Sequence, residues 1–212
     1  MLKMNNITKT FNGGTVDERV ALDHMDLTLQ DGDFVTVIGG NGAGKSTMQN
    51  AICGTWRPDE GSIELDGVNV SALPEYKRAR YLGRVYQDPM MGTSAGMEIE
   101  ENQALTLLMA TLRKPKLLLQ DEHTAALDPQ TAQRVMDITD RLVRENHLTT
   151  LMITHNMRDA IHYGNRLIML HKGRVVLDIS GEEKAKLTVP QLLELFSRVS
   201  GEEYDNDRAL LA

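Results

Sequence analysis

Gly39-Gly40-Asn41-Gly42-Ala43-Gly44-Lys45-Ser46-Thr47 decides how this chain folds. It meets every specified position of the pattern G-x-x-x-x-G-K-[ST]. Directly before it stands Phe34-Val35-Thr36-Val37-Ile38, a β-branched run that reads as a buried strand. Directly after it, Lys45 to Ile52 reads as a helix. A strand that runs into a glycine-rich turn and then a helix is the context in which this pattern has a physical meaning. Glycines let the backbone curl until several N–H groups converge on one anion, and the helix that follows presents its positive end to the same point. The pattern therefore predicts a phosphate-binding loop. Lys45 is expected to reach the outer phosphates and Ser46 to ligate Mg²⁺.

Outward from the loop, strand and helix signals alternate. Ala21 to Leu29 alternates apolar and polar, and Asp31-Gly32-Asp33 marks the turn that follows. Ser62-Ile63-Glu64-Leu65 reads as a short strand, Pro74 to Arg80 as a short helix, and Gly83 to Tyr86 as a strand. Pro89 to Gly96 reads as a loop and Ala104 to Leu112 as a helix. Leu117-Leu118-Leu119 is a buried strand that delivers Asp121-Glu122. Asp128-Pro129 is a helix start, with a capping carboxylate and then proline at the first helical position. Thr149 to Ile153 reads as a strand ending at Thr154-His155. Leu167 to Leu170 and Arg174 to Leu177 read as two strands, followed by helices around Glu182 to Lys186 and Gln191 to Val199. Such alternation argues for an α/β sandwich with a largely parallel sheet in one domain over residues 1–212.

Asp121 at the end of a leucine strand suits the water shell of a metal, and Glu122 beside it suits a general base. The pair alone is weak, because carboxylates end many strands; beside the phosphate loop it gains weight. His155 suits a hydrogen bond to a terminal phosphate, although a lone histidine after a strand is more often structural. Gln120 is out of place in an apolar strand, since a buried amide needs partners.

Bulk properties exclude other classes. A net charge of −7 gives no case for nucleic-acid binding. No stretch reaches the roughly 18 to 20 apolar residues that span a bilayer, and Met1 to Asn6 carries no secretory pattern. The single cysteine, Cys53, forbids an internal disulfide and is expected to be a small buried residue, as fits a reducing cytoplasm.

Taken in order, the phosphate loop, Val85-Tyr86-Gln87-Asp88-Pro89, the Leu117 to Glu122 strand, Ala125-Ala126-Leu127-Asp128 and Thr154-His155-Asn156 resemble an ABC ATPase, the nucleotide-binding subunit of ATP-binding cassette transporters. The resemblance spans nearly the whole chain. It implies a P-loop NTPase (RecA-like) core with a mostly parallel sheet flanked by helices, plus a small antiparallel β lobe. It implies ATP and Mg²⁺ as ligands, held by Gly39, Asn41, Gly42, Ala43, Gly44, Lys45, Ser46 and Thr47, with Phe11 stacked on adenine. Ser46, Gln87 and Asp121 are implied for the metal, and Glu122, His155 and Gln87 for catalysis. Asp128 matches the loop that couples two halves of a dimer. The implied partners are a second copy and two transmembrane permease subunits, at the inner face of the membrane. Glu122 to Asp128 resembles importers of amino acids or related small solutes.

One part of that resemblance is missing. The family carries a helical subdomain and a Leu-Ser-Gly-Gly-Gln signature between the positions of Gln87 and Asp121, and here those residues stand close together with no such segment. Met97 to Asn102 resembles the start of the insertion and Gln103 to Ala110 the helix after the signature. The chain reads as a subunit whose helical subdomain was excised between Asn102 and Gln103, by engineering or natural deletion. The rival is a divergent member with a short connection. Excision predicts that Gln120 faces a surface once covered. It also predicts impaired hydrolysis with ATP binding kept, which leaves open a minimal ATP-binding core without catalytic duty. Soluble relatives of DNA repair and chromosome maintenance fit less well, for the chain has neither heptads nor a cysteine-based metal module.

Overall fold

The computed structural model describes residues 1–85, 107, 109–110, 114–121, 124 and 127–200. The expectations for Pro89 to Gly96, for Gln87 and Glu122, for Ala125 and Ala126 and for the junction at Asn102 lie outside these residues, as does most of the helix expected over Ala104 to Leu112.

The chain builds two sheets. The first is antiparallel, in the order β2-β1-β4-β5: β2 is Arg19–Leu29, β1 Leu2–Phe11, β4 Glu60–Leu65 and β5 Val68–Asn69. The second has six strands in the order β10-β9-β3-β8-β7-β6. These are β10 (Arg174–Ser180), β9 (Arg166–His171), β3 (Phe34–Ile38), β8 (Thr149–Ile153), β7 (Leu117–Asp121) and β6 (Leu82–Val85). All neighbours in it pair in parallel except β10 with β9. Helices α1 (Lys45–Cys53), α2 (Glu75–Arg78), α3 (Pro129–Glu145), α4 (Met157–His162), α5 (Gly181–Ala185) and α6 (Val189–Ser200) complete the described elements. The α/β class, the mostly parallel sheet and the small antiparallel lobe are as the sequence implied.

β3 and β8 are buried at every position, as strands covered on both faces must be. One face of the central sheet and the inner face of the antiparallel sheet share a core with α1, in which Leu22, Val35, Val37, Met48, Ile52, Leu117, Leu119 and Ile168 meet. On the other face Leu118, Val85 and Met152 pack under Met136 and Val143 of α3 and under Leu107. Cys53 lies in the first core, and burial pushes its thiol up to about 11.

Gln120 departs from expectation. Strand alternation puts it on the face of Leu118, beneath the cover just named, and its side chain is fully buried. It does not face an uncovered surface. Both its amide atoms lack hydrogen-bond partners, and so do those of fully buried Gln49 in α1.

Three described elements, β1, the two-residue β5 and α4, have no counterpart in the sequence reading. β1 escapes because Asn6 takes a φ of 51° and the register shifts between Met4 and Ile7, which breaks the period of two. α4 escapes because it is only six residues long, too short to set a helical period. Its signal was local: the Asn156 side chain accepts from the N–H groups of Arg158 and Asp159, as an N-cap does. Asp128 caps α3 in the same way, 3.0 Å from the Gln130 N–H and 3.2 Å from that of Thr131. Hydrogen bonds from Thr131 hold its carboxyl below the usual range.

Candidate functional site

Three strands of the parallel sheet deliver their C-terminal ends to one edge. Val37 of β3 is level with Ile153 of β8, and Ile153 is level with Asp121 of β7. The phosphate loop leaves β3 there, Thr154 and His155 leave β8, and Asp121 closes β7. In open α/β sheets ligands bind outside the carboxyl ends of the strands.

The loop itself is shaped by glycine. Gly39, Gly42 and Gly44 have φ values of 151°, 77° and 105°. A Cβ at Gly39 would come within 2.4 Å of the Leu170 carbonyl oxygen, and one at Gly44 within 2.6 Å of that of Ala21. Neither position tolerates a side chain. The loop is buttressed from behind by the β9–β10 turn, where the Gly173 N–H donates to the Ala43 carbonyl (3.0 Å) and the Asp23 N–H to that of Gly173 (3.1 Å). Gly44 stands at the N-cap of α1 and no side chain caps that end. Lys45 is largely buried, and its Nζ donates to the carbonyls of Gly39 (2.7 Å) and Gly40 (3.3 Å). Its ammonium is thus held across the mouth of the loop, while Ser46 is exposed beside it.

A cavity of about 390 Å³ opens over this loop. Asn41 to Thr47 line it together with Phe11, Arg19 and Ala21. Phe11 ends β1, half-buried, and sits edge-on to Trp56 at 5.2 Å between ring centroids. The aromatic assigned to adenine is therefore in the same cavity as the phosphate loop. Gly39 lies at the base of the loop rather than on the cavity wall.

His155 lines a second, larger cavity of about 850 Å³, between α3, α4 and Leu187 to Val189. Asn156, Gln133, Asp159 and Tyr163 share it. Burial raises the Asp159 carboxyl above its ordinary value. Tyr163 donates its hydroxyl to Asp137 (3.1 Å). Gln87 and Glu122, assigned to the metal and to catalysis, lie outside the described residues.

These residues suit a nucleoside triphosphate: a glycine cradle that a Cβ would fill, a helix end that no side chain caps, a lysine at the mouth and an aromatic in the same cavity. Among the described residues no three His, Cys, Asp or Glu gather as a metal site. Sequence reasoning missed Arg19 and Ala21. The strand was begun at Ala21, and only the β1–β2 register sets Arg19 opposite Phe11.

Comparison with known proteins agrees with this geometry. The family model described as ABC transporter matches residues 22–102. The chain is 38% identical to a tyrosine transport ATP-binding protein of Clostridioides difficile, across 92% of this chain and 98% of that one. It is 29% identical to the methionine import ATP-binding protein MetN of Bartonella henselae, across 90% of this chain and 67% of that one. Among solved structures it resembles a dimeric ATP-binding cassette in a post-hydrolysis state bound to ADP and phosphate. There the TM-score is 0.73 at 25% identity, over 85% of this chain and 98% of that one.

Proposed function

The chain belongs to the ATP-binding subunits of ABC transporters, and from that premise we propose that it binds Mg-ATP in the Phe11–phosphate-loop cavity and turns it over poorly. The observation that carries this is the shared cavity, which Phe11 lines together with Asn41 to Thr47. In this reading the N–H groups of the loop and the α1 terminus hold the phosphates, Lys45 leaves its carbonyls for them, and Phe11 meets the base. Ser46, Asp121 and Gln87 hold Mg²⁺, which when bound neutralises charge on the phosphate chain. Glu122 takes the proton of the attacking water, and His155 steadies the terminal phosphate.

The weak turnover follows from what the sequence lacks. A signature segment would supply opposing donors from a second copy, and removing preorganised donors typically costs about 10²-fold or more in rate. Two observations support a deletion. The family match stops at residue 102, where the reading sets the junction. The alignment with the C. difficile protein runs over 247 positions, more than the 212 residues of this chain, so part of that relative has no counterpart here.

The partners in this reading are a second copy and two membrane permease subunits at the inner membrane face, and the solute is an amino acid or related small molecule. No described helix is long and apolar enough to cross a membrane. A binding core without transport duty is not favoured, because the relatives above are transport and import ATP-binding proteins.

Equilibrium dialysis with labelled ATP tests the site. Wild-type chain is expected to bind, more tightly with Mg²⁺ than with chelator, and Lys45→Ala to lose at least about tenfold in affinity. Equal binding by the variant would show that the nucleotide sits elsewhere.

A further inference from the structure

Arg19 is the first residue of β2 and the ladder partner of Phe11 in β1. Its guanidinium lies over the phosphate loop. Nη2 donates to the Gly42 carbonyl at 3.1 Å, and a Cβ added to Gly42 would sit 2.1 Å from that nitrogen. The side chain lines the cavity together with Phe11 and Asn41 to Thr47.

Its charge has no carboxylate. Arg174, which starts β10 after the turn that buttresses the loop, is neutralised by Asp23 at 2.7 Å, and Arg166, at the other end of β9, by Asp178 at 2.5 Å and Asp33 at 3.5 Å. Arg19 takes part in none of the ion pairs of the described residues. One neutral carbonyl uses one of its five N–H groups. The rest of the fork is open at the wall of a cavity shaped for an anion. In the proposed reading Lys45 serves the outer phosphates and Phe11 the base. Arg19 links the two sides: its backbone pairs with Phe11 and its guanidinium reaches Gly42 of the loop.

We propose that Arg19 is a further nucleotide-binding residue, gripping the phosphate chain at its nucleoside end. A guanidinium presents a planar fork that matches phosphate oxygens, and such charge-assisted bonds are stronger than the neutral one it makes to Gly42. ATP and ADP both carry that end of the chain, so Arg19 serves both alike, and Lys45 is left to distinguish the outer phosphates. The inference rests on the nucleotide-binding reading of this cavity.

The test exploits Trp56, the chain's one tryptophan, which lies edge-on to Phe11. Its fluorescence is titrated with ATP and with ADP in wild type, Arg19→Lys and Arg19→Gln, and dialysis provides a second readout. Arg19 is exposed, so neither change disturbs the core, and thermal melts verify the fold. Glutamine keeps a shorter neutral donor and removes the charge; lysine keeps the charge. The expected result is a loss of about tenfold for Arg19→Gln with both nucleotides. Lysine restores most of it, and the gap narrows as salt rises. If Arg19→Gln binds both nucleotides as wild type does, Arg19 only props the loop and the inference is overturned while the site stands. A wild-type chain that binds neither nucleotide sinks the reading of the site and this inference with it.

Discussion

Gln120 and Gln49 each bury a primary amide with no partner for either atom. A buried unpartnered polar group costs about 1–3 kcal/mol, and an apolar side chain of similar shape removes that cost. Gln120→Leu is expected to raise the unfolding free energy by about 1–2 kcal/mol in urea titrations. A loss of stability instead would mean that the amide has partners in the folded chain that the buried strand conceals. Nothing in the structure explains why glutamine stands at either position. At this scale the sequence was a good guide wherever chemistry forces the residue. Gly39, Gly44 and Lys45 could be read because a tight cradle with a cation at its mouth admits few alternatives. Arg19 could not, because its role depends on which residue lies across from it, and the shifts in the β1–β2 register hide that.

Arg78 shows what joins the elements beneath the site. It is fully buried in α2, and its guanidinium donates to four carbonyls: Ala51 (2.7 Å) and Ile52 (2.9 Å) at the end of α1, Leu73 (2.9 Å) and Ser71 (3.1 Å). A cation at a helix C-terminus meets the negative end of the helix and satisfies carbonyls that the helix leaves orphaned. Burial lowers the pKa of this group, but four acceptors hold it in place. Gly54 lets it approach, since a Cβ there would lie 2.7 Å from Nε. Arg78→Met retains apolar bulk and strands those carbonyls. A loss of at least about 3 kcal/mol is expected in chemical denaturation. A loss under about 1 kcal/mol would mean that water replaces the guanidinium. Element types in the parallel sheet were legible because continuous apolar runs and turn residues mark them. The ends were less so: α2 spans Glu75–Arg78, shorter than the helix expected over Pro74 to Arg80. Such a short helix is fixed by what Arg78 grips, which no local pattern encodes.

In the function proposed above, the whole chain retains one half of a two-sided site. The phosphate loop, its buttress at Gly173 and the aromatic wall at Phe11 are built within a single copy. In the same reading, the donors that would close over the outer phosphates belong to the signature segment that the sequence lacks. Binding draws on the first set and rate acceleration on both, so the two activities should separate. The most direct measurement is steady-state phosphate release at saturating Mg-ATP, beside Glu122→Gln and Lys45→Ala, with bound nucleotide measured in the same samples. The account predicts no release by the wild-type chain above either variant, while wild type and Glu122→Gln still hold ATP. Release by wild type that vanishes in both variants would show a working site without the signature, and would contradict it.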